Sequence, residues 1–114
     1  MNLLAGDLGG TKTILAIYSY ESRPRKIHHK VYVSKDWSSF DLILKNYIKE
    51  IPKNIDYPEY GCIAIAGQVT GKLSKITNLG WNIDADKLAK IADLNQIELI
   101  NDFSALIYGV PNFD

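Results

Sequence analysis

Residues 3–13 read LLAGDLGGTKT: an apolar run, an acid, two glycines, a threonine and a lysine. Residues 2–8 read as a buried strand, and TILAIYSY (13–20), rich in β-branched and aromatic residues, as the next. The loop 9–12 between them carries the interest. Gly9 and Gly10 lack a Cβ, so the backbone can turn sharply and its N–H groups can approach an anion. Thr11 adds a hydroxyl and Lys12 a charge, while Asp7 offers the hard oxygen ligand that suits magnesium, usually through water. Two readings stay open on these residues alone: a phosphate and metal corner, or a tight hairpin whose turn Asp7 caps. The spacing is neither a Walker A loop nor G-x-G-x-x-G.

Working outward, ESRPR supplies turn chemistry and KIHHKVYVS (26–34) reads as a third strand near a sheet edge. The short connections predict an antiparallel meander. The period then changes: Phe40, Ile43, Leu44, Tyr47, Ile48 and Ile51 mark one face of a helix. Ser38 is placed to cap it, with Asp41 three residues on, and Pro52 stops it. CIAIAG (62–67) is uniformly apolar, as a parallel strand covered on both faces should be. QVTGKLSKITNLGW reads as irregular, with a small hairpin. Asp84 caps a second helix over about 85–94, with Leu88, Ile91 and Ala92 on one face. IELINDF (97–103) is the last strand, and SALIYGV begins a further helix. The order β-β-β-α-β-α-β-α makes the strands after the meander parallel to the first, because helices carry the chain back.

In such a sheet, ligands sit beyond the carboxyl ends of the parallel strands. Asp7 closes the first strand, Asp102 the last, and GQVTG leaves the fourth at the same rim. The Asn101-Asp102 pair has two readings. It is either a helix N-cap, or a site where Asn101 holds a substrate hydroxyl while Asp102 removes its proton. Phosphoryl transfer to an alcohol needs such a base, a metal, and donors around the phosphates.

The bulk numbers suit one soluble domain: 114 residues, 46% hydrophobic and 23% charged. A formal net charge of +0 gives no reason to expect a nucleic-acid or membrane partner. The densest basic cluster, Arg23, Arg25, Lys26 and Lys30, flanks a strand and reads as a solvated edge. Cys62, the single cysteine, lies in an apolar run and reads as a small buried hydrophobe. The N-terminus lacks a signal-peptide pattern and no segment is long enough to span a bilayer, so a cytoplasmic location is expected.

Taken together, GDLGGTKTILAIY, CIAIAGQVTGKLSKITNLGWNID and IELINDFSALIYGVP resemble, in order and spacing, the small N-terminal lobe of the bacterial glucokinases of the hexokinase–actin superfamily. The resemblance runs over nearly the whole chain. It implies a ribonuclease-H-like α/β lobe, with a mixed five-stranded sheet of order 3-2-1-4-5 and flanking helices. It implies ATP-dependent phosphorylation of glucose at its 6-hydroxyl, with Mg2+. Asp102 falls at the family's catalytic base, and Asn101 at a sugar-hydroxyl ligand. Gly6, Asp7, Leu8, Gly9, Gly10 and Thr11 fall at the first phosphate loop, with Asp7 on the magnesium side. Thr77 and Asn78, in TNLGW, would face the sugar, and Trp81 is expected to pack.

GGTK is also the wording of a sibling group of sugar kinases and repressors, although NDFSAL is not that group's usual block. The second, larger lobe of a glucokinase is absent from these 114 residues. Residues 1–114 are therefore expected to be a small lobe with little or no kinase activity alone. The alternatives are a sibling kinase for another hexose, or a freestanding sugar- or nucleotide-binding module. In the latter, an apolar docking face including ALIYGVPNF would meet a partner or drive homo-oligomer formation.

Overall fold

The computed structural model describes residues 1–101 and 103. Asp102, the expected last helix and the ALIYGVPNF face lie outside the described residues. The first three strands form the expected meander: β1 (Asn2–Leu8), β2 (Lys12–Tyr20) and β3 (Pro24–Val33), each antiparallel to the one before. Helix α1 (Phe40–Glu50) leads to β4 (Tyr60–Ile65), which lies parallel to β1. Helix α2 (Ala85–Ala92) leads to β8 (Gln96–Ile100), parallel to β4. The sheet order is β3-β2-β1-β4-β8, the expected 3-2-1-4-5 arrangement, and β3 is an edge strand.

Both helices pack on one face of this sheet. Phe40, Ile43, Leu44 and Tyr47 of α1 and Leu88 of α2 meet Leu4, Leu8, Leu15, Ile17, Ile63 and Ile65 in one core. Each such fully buried large apolar side chain contributes about 1.5–3 kcal/mol. The other face carries Leu3, Ala5, Tyr20 and Cys62, with Tyr18, Tyr60, Ile100 and Phe103 packed against them. Strands β1 and β4 are apolar on both faces for this reason, as CIAIAG promised.

Several boundaries differ from those expected. The cap of α1 is Ser39, not Ser38: Ser39 has extended backbone and its side chain accepts from Leu42 N–H. The helix ends before Pro52 because Ile51, as the residue preceding a proline, takes extended backbone. Strand β4 runs 60–65 rather than 62–67, because its pairing with β1 ends at Leu8 opposite Ile65 and Gly67 then adopts φ +153°. Strand β8 stops at Ile100. The segment expected to be irregular is an ordered antiparallel sheet of β5 (Val69–Thr70), β6 (Leu73–Ile76) and β7 (Trp81–Asp84). Its first hairpin turns at Gly71, at φ +61°, in the two-residue loop type that needs left-handed backbone. Asp84 then caps α2 as expected, accepting from the N–H groups of Asp86 and Lys87.

Candidate active site

Because β1, β4 and β8 are parallel, their carboxyl ends share one rim, with Asp7 level with Ala64 and Ala64 level with Ile100. Neighbouring strands lie about 4.8 Å apart, so the ends of β1 and β8 are separated by about 10 Å, with the loop after β4 between them.

At the first end, β1 and β2 are joined by a tight hairpin turn, as the hairpin reading expected. Gly9 N–H donates to Lys12 O at 3.1 Å, closing a tight turn. A Cβ on Gly9 would sit 2.9 Å from that carbonyl, so the turn requires glycine. Gly10 and Thr11 are exposed at its tip, and Asp7 is exposed beside it. Leu8 is buried in the helix-side core, so only its backbone belongs to the rim. Gly6 lies deeper, inside β1, where a Cβ would come within 2.7 Å of the Ile63 side chain. Its small size serves packing of the strand that carries Asp7.

The sugar-facing residues of the sequence reading lie close by. Thr77 and Asn78 are exposed on a short 3-10 turn (Thr77–Leu79) between β6 and β7. A Cβ on Gly10 would be 4.0 Å from Asn78 Nδ2, so the glycine loop and the TNLGW turn adjoin. An open groove of about 880 Å³ runs from this turn past Gly67, Gln68, Ser74, Lys75 and Asn82. Trp81 is buried, as expected, and its indole N–H donates to Trp37 O at 3.3 Å.

At the far end, Asn101 donates from Nδ2 to Gly67 O at 2.7 Å, tying the end of β8 to the loop after β4. A carbonyl can only accept, so the amide nitrogen must face it, and this bond engages only the nitrogen. Asp102 follows in sequence and lies outside the described residues.

Hydroxyl groups beneath the glycine loop carried no signal in the sequence reading. Thr13 Oγ1 lies 2.9 Å from Ser34 Oγ, and Ser34 Oγ donates to Gly9 O at 2.7 Å. Gly67 opens the GQVTG segment that the sequence places at this rim, and its φ of +153° and its carbonyl's bond to Asn101 are what the structure adds.

Magnesium suits the donors present. One exposed carboxylate, Asp7, and the hydroxyl of Thr11 at the tip of the following turn are hard oxygens, and magnesium is usually held by one or two carboxylates together with waters and substrate phosphates. No cluster of three His, Cys, Asp or Glu side chains occurs among the described residues, so no all-protein cage competes with that arrangement. Cys62 supplies no nucleophile: burial, with the nearby Glu98 carboxylate, pushes its thiol up to about 12.

Comparison with known proteins agrees with this geometry. A family profile described as Glucokinase matches residues 4–114. The glucokinase of Nostoc sp. is 40% identical over 111 residues, covering 95% of this chain and 32% of that protein. The crystal structure of a glucokinase from an Antarctic psychrotroph superposes with a TM-score of 0.81 at 26% identity, over 99% of this chain and 36% of that one. Hexokinase from Schistosoma mansoni, solved with glucose, shares the fold alone: TM-score 0.54, 16% identity, 90% of this chain and 29% of that one. The chain spans about a third of the length of the curated relatives it matches. With the profile matching nearly every residue, and the sheet, glycine loop and TNLGW turn arranged on one rim, the chain belongs to the glucokinase family.

Proposed function

We propose that residues 1–114 form the small N-terminal lobe of an ATP-dependent hexose kinase, with glucose as the acceptor and glucose 6-phosphate as the product. The observation that carries this reading is the meeting of three polar strand ends on one rim: the glycine loop after β1, the Gly67 turn after β4, and Asn101 after β8. In this arrangement the backbone N–H groups of the exposed residues Gly10 and Thr11 face the phosphates of the nucleotide. Asp7 holds the magnesium side of those phosphates, and magnesium there would neutralise charge on the transferring group. Asn101, anchored through its nitrogen on Gly67, presents Oδ1 to a sugar hydroxyl. Thr77 and Asn78 bound the sugar from the TNLGW turn.

Asp102 is the proposed base. As the 6-hydroxyl oxygen bonds to the terminal phosphorus and the bridging P–O bond breaks, the hydroxyl proton passes to the Asp102 carboxylate. General-base assistance is typically worth about 10²–10⁴ in rate. Asp102→Asn in the intact gene product should therefore lower kcat by about that factor with the glucose KM little changed. Steady-state kinetics checks this, and a variant with wild-type kcat would remove Asp102 from the role. The remaining sugar and adenosine contacts belong to the rest of a glucokinase, so residues 1–114 alone should turn over no sugar at a kinase-like rate. The reading of a sibling kinase for another hexose is separated by product analysis over a sugar panel.

A further inference from the structure

We propose that Ser34 is a positioning residue for the glycine loop, acting with Thr13. Thr13 and Ser34 are fully buried polar side chains, and they touch one another directly beneath that loop. Ser34 opens a 3-10 turn (Ser34–Asp36) immediately after β3. Its hydroxyl donates to Gly9 O at 2.7 Å, and its backbone N–H donates to Thr11 O at 3.1 Å. A hydroxyl has one proton. Since Ser34 spends its proton on a carbonyl, Thr13 must be the donor in the 2.9 Å contact between the two side chains. The chain of bonds therefore has one direction: Thr13 O–H to Ser34 Oγ, then Ser34 O–H to Gly9 O.

The consequence falls on the peptide plane between Gly9 and Gly10. In a planar trans peptide the C=O and N–H point in opposite directions. Drawing Gly9 O inward to Ser34 aims Gly10 N–H outward, toward the rim. Glycine places no steric limit on this peptide, so without the bond it would sample other orientations. The far end of the same short turn is held as well: Trp37 N–H donates to Ser34 O at 3.1 Å, and Trp37 O accepts from the Trp81 indole at 3.3 Å. The turn thus braces the glycine loop against β7, the strand that follows the TNLGW turn. This inference rests on the phosphate-loop reading above only for its ligand; the brace itself stands on the bonds.

The test compares wild type, Ser34→Ala, Thr13→Val and Thr13→Ser in the intact gene product, with MgATP and glucose as probes. A positioning role predicts that Ser34→Ala raises the KM for MgATP by about tenfold and leaves the KM for glucose within about twofold. It also predicts faster amide hydrogen exchange at Gly10 and Thr11. Thr13→Val should shift both readouts in the same direction, and Thr13→Ser, which keeps the hydroxyl, should restore them. A Ser34→Ala protein that only melts earlier, with MgATP KM and loop exchange unchanged, overturns the proposal. If Ser34→Ala does not fold, the Thr13 pair decides: identical values for Val and Ser overturn it. If the wild type neither binds nor uses MgATP, the phosphotransfer reading falls by itself. Loop exchange in Ser34→Ala then decides the brace: faster exchange upholds it, and unchanged exchange removes it.

Discussion

At the scale of single residues, two buried groups give direct predictions. Removing the Ser34 hydroxyl leaves the buried Thr13 Oγ1 and the half-buried Gly9 O without their partner. Such a loss costs about 1–3 kcal/mol, so Ser34→Ala should lower the unfolding free energy by that amount, read as a lower denaturant midpoint at an unchanged m-value. Cys62 behaves differently. Burial raises its thiol from 9.0 to about 12, and the hydroxyls of Tyr20 and Tyr32 rise from 10.0 to about 12, in each case first through desolvation. In the native state Cys62 should therefore resist thiol reagents at pH 8, and react fully once denatured. These raised groups also set the alkaline limit. Above pH 9–10 the unfolded chain releases protons that the folded chain keeps, so stability is fully present below that range and falls as pH rises through it, toward about 12. Thermal melts at pH 8 and pH 10.5 should show a lower Tm at the higher pH, and equal values would contradict the burial of these groups.

At the scale of elements, the short turns decide what the strands deliver. Gly80 closes the Thr77–Leu79 turn at φ +68°, ψ +22°, and a Cβ there would meet nothing within 4 Å. The cost of Gly80→Ala is thus backbone strain alone, about 1–2 kcal/mol, and Gly80→Asn should recover part of it. Chemical denaturation of the two variants checks this, and equal loss from Ala and Asn would argue against a left-handed requirement. The polar contacts between β3 and α1 show a second device. Lys30 pairs with Glu50 and lies over the Tyr32 ring, while Tyr32 O–H donates to Asn46 Oδ1 at 2.8 Å. His28 Nδ1 and Tyr47 O–H meet at 2.7 Å beside them. These bonds dock α1 on the outer strands and hold β3 so that Ser34, at its end, reaches the glycine loop. The basic residues of β3 thus divide: Arg25 and Lys26 are exposed, as a solvated edge should be, whereas Lys30 is part of this docking.

At the scale of the whole molecule, one sheet serves two purposes. Its helix side is a closed apolar core, and its rim gathers the ends of three parallel strands. On the proposed function, this rim is one wall of a cleft. Sequestering a phosphoryl transfer from water needs a second wall, because water is itself an acceptor. On the small-lobe proposal, that wall comes from the part of such a protein beyond the third that this chain matches. The expected outcome is that residues 1–114, purified alone, turn over no glucose with MgATP, while the intact gene product does. A coupled assay for glucose 6-phosphate on both proteins checks this, and kinase-like turnover from residues 1–114 would mean that one wall suffices. No helix among the described residues is long and apolar enough to cross a membrane.

The sequence by itself determined the opening meander, the two helices and the parallel run of β1, β4 and β8, which follow from local periodicity and from the rule that helical crossovers make strands parallel. The sheet order and the place of the TNLGW turn were implied by the family resemblance of the motifs, and the β5–β6–β7 sheet was legible only as an irregular segment with a small hairpin. The sequence reached the Asp84 cap and the stop at Pro52 by the same local logic, and the burial of Trp81 through the resemblance. It placed the α1 cap one residue early, because two serines stand side by side and only the packed helix selects Ser39. The Ser34 brace, the Asn101–Gly67 tie and the approach of Asn78 to Gly10 were decided by tertiary structure alone. Each joins residues at least 25 positions apart in the chain. No local pattern encodes such distances, and a serine at a strand end looks the same whether it faces water or a glycine loop. Once the sheet has set the register of its neighbours, the burial of a polar group leaves it only the partners the fold brings within reach.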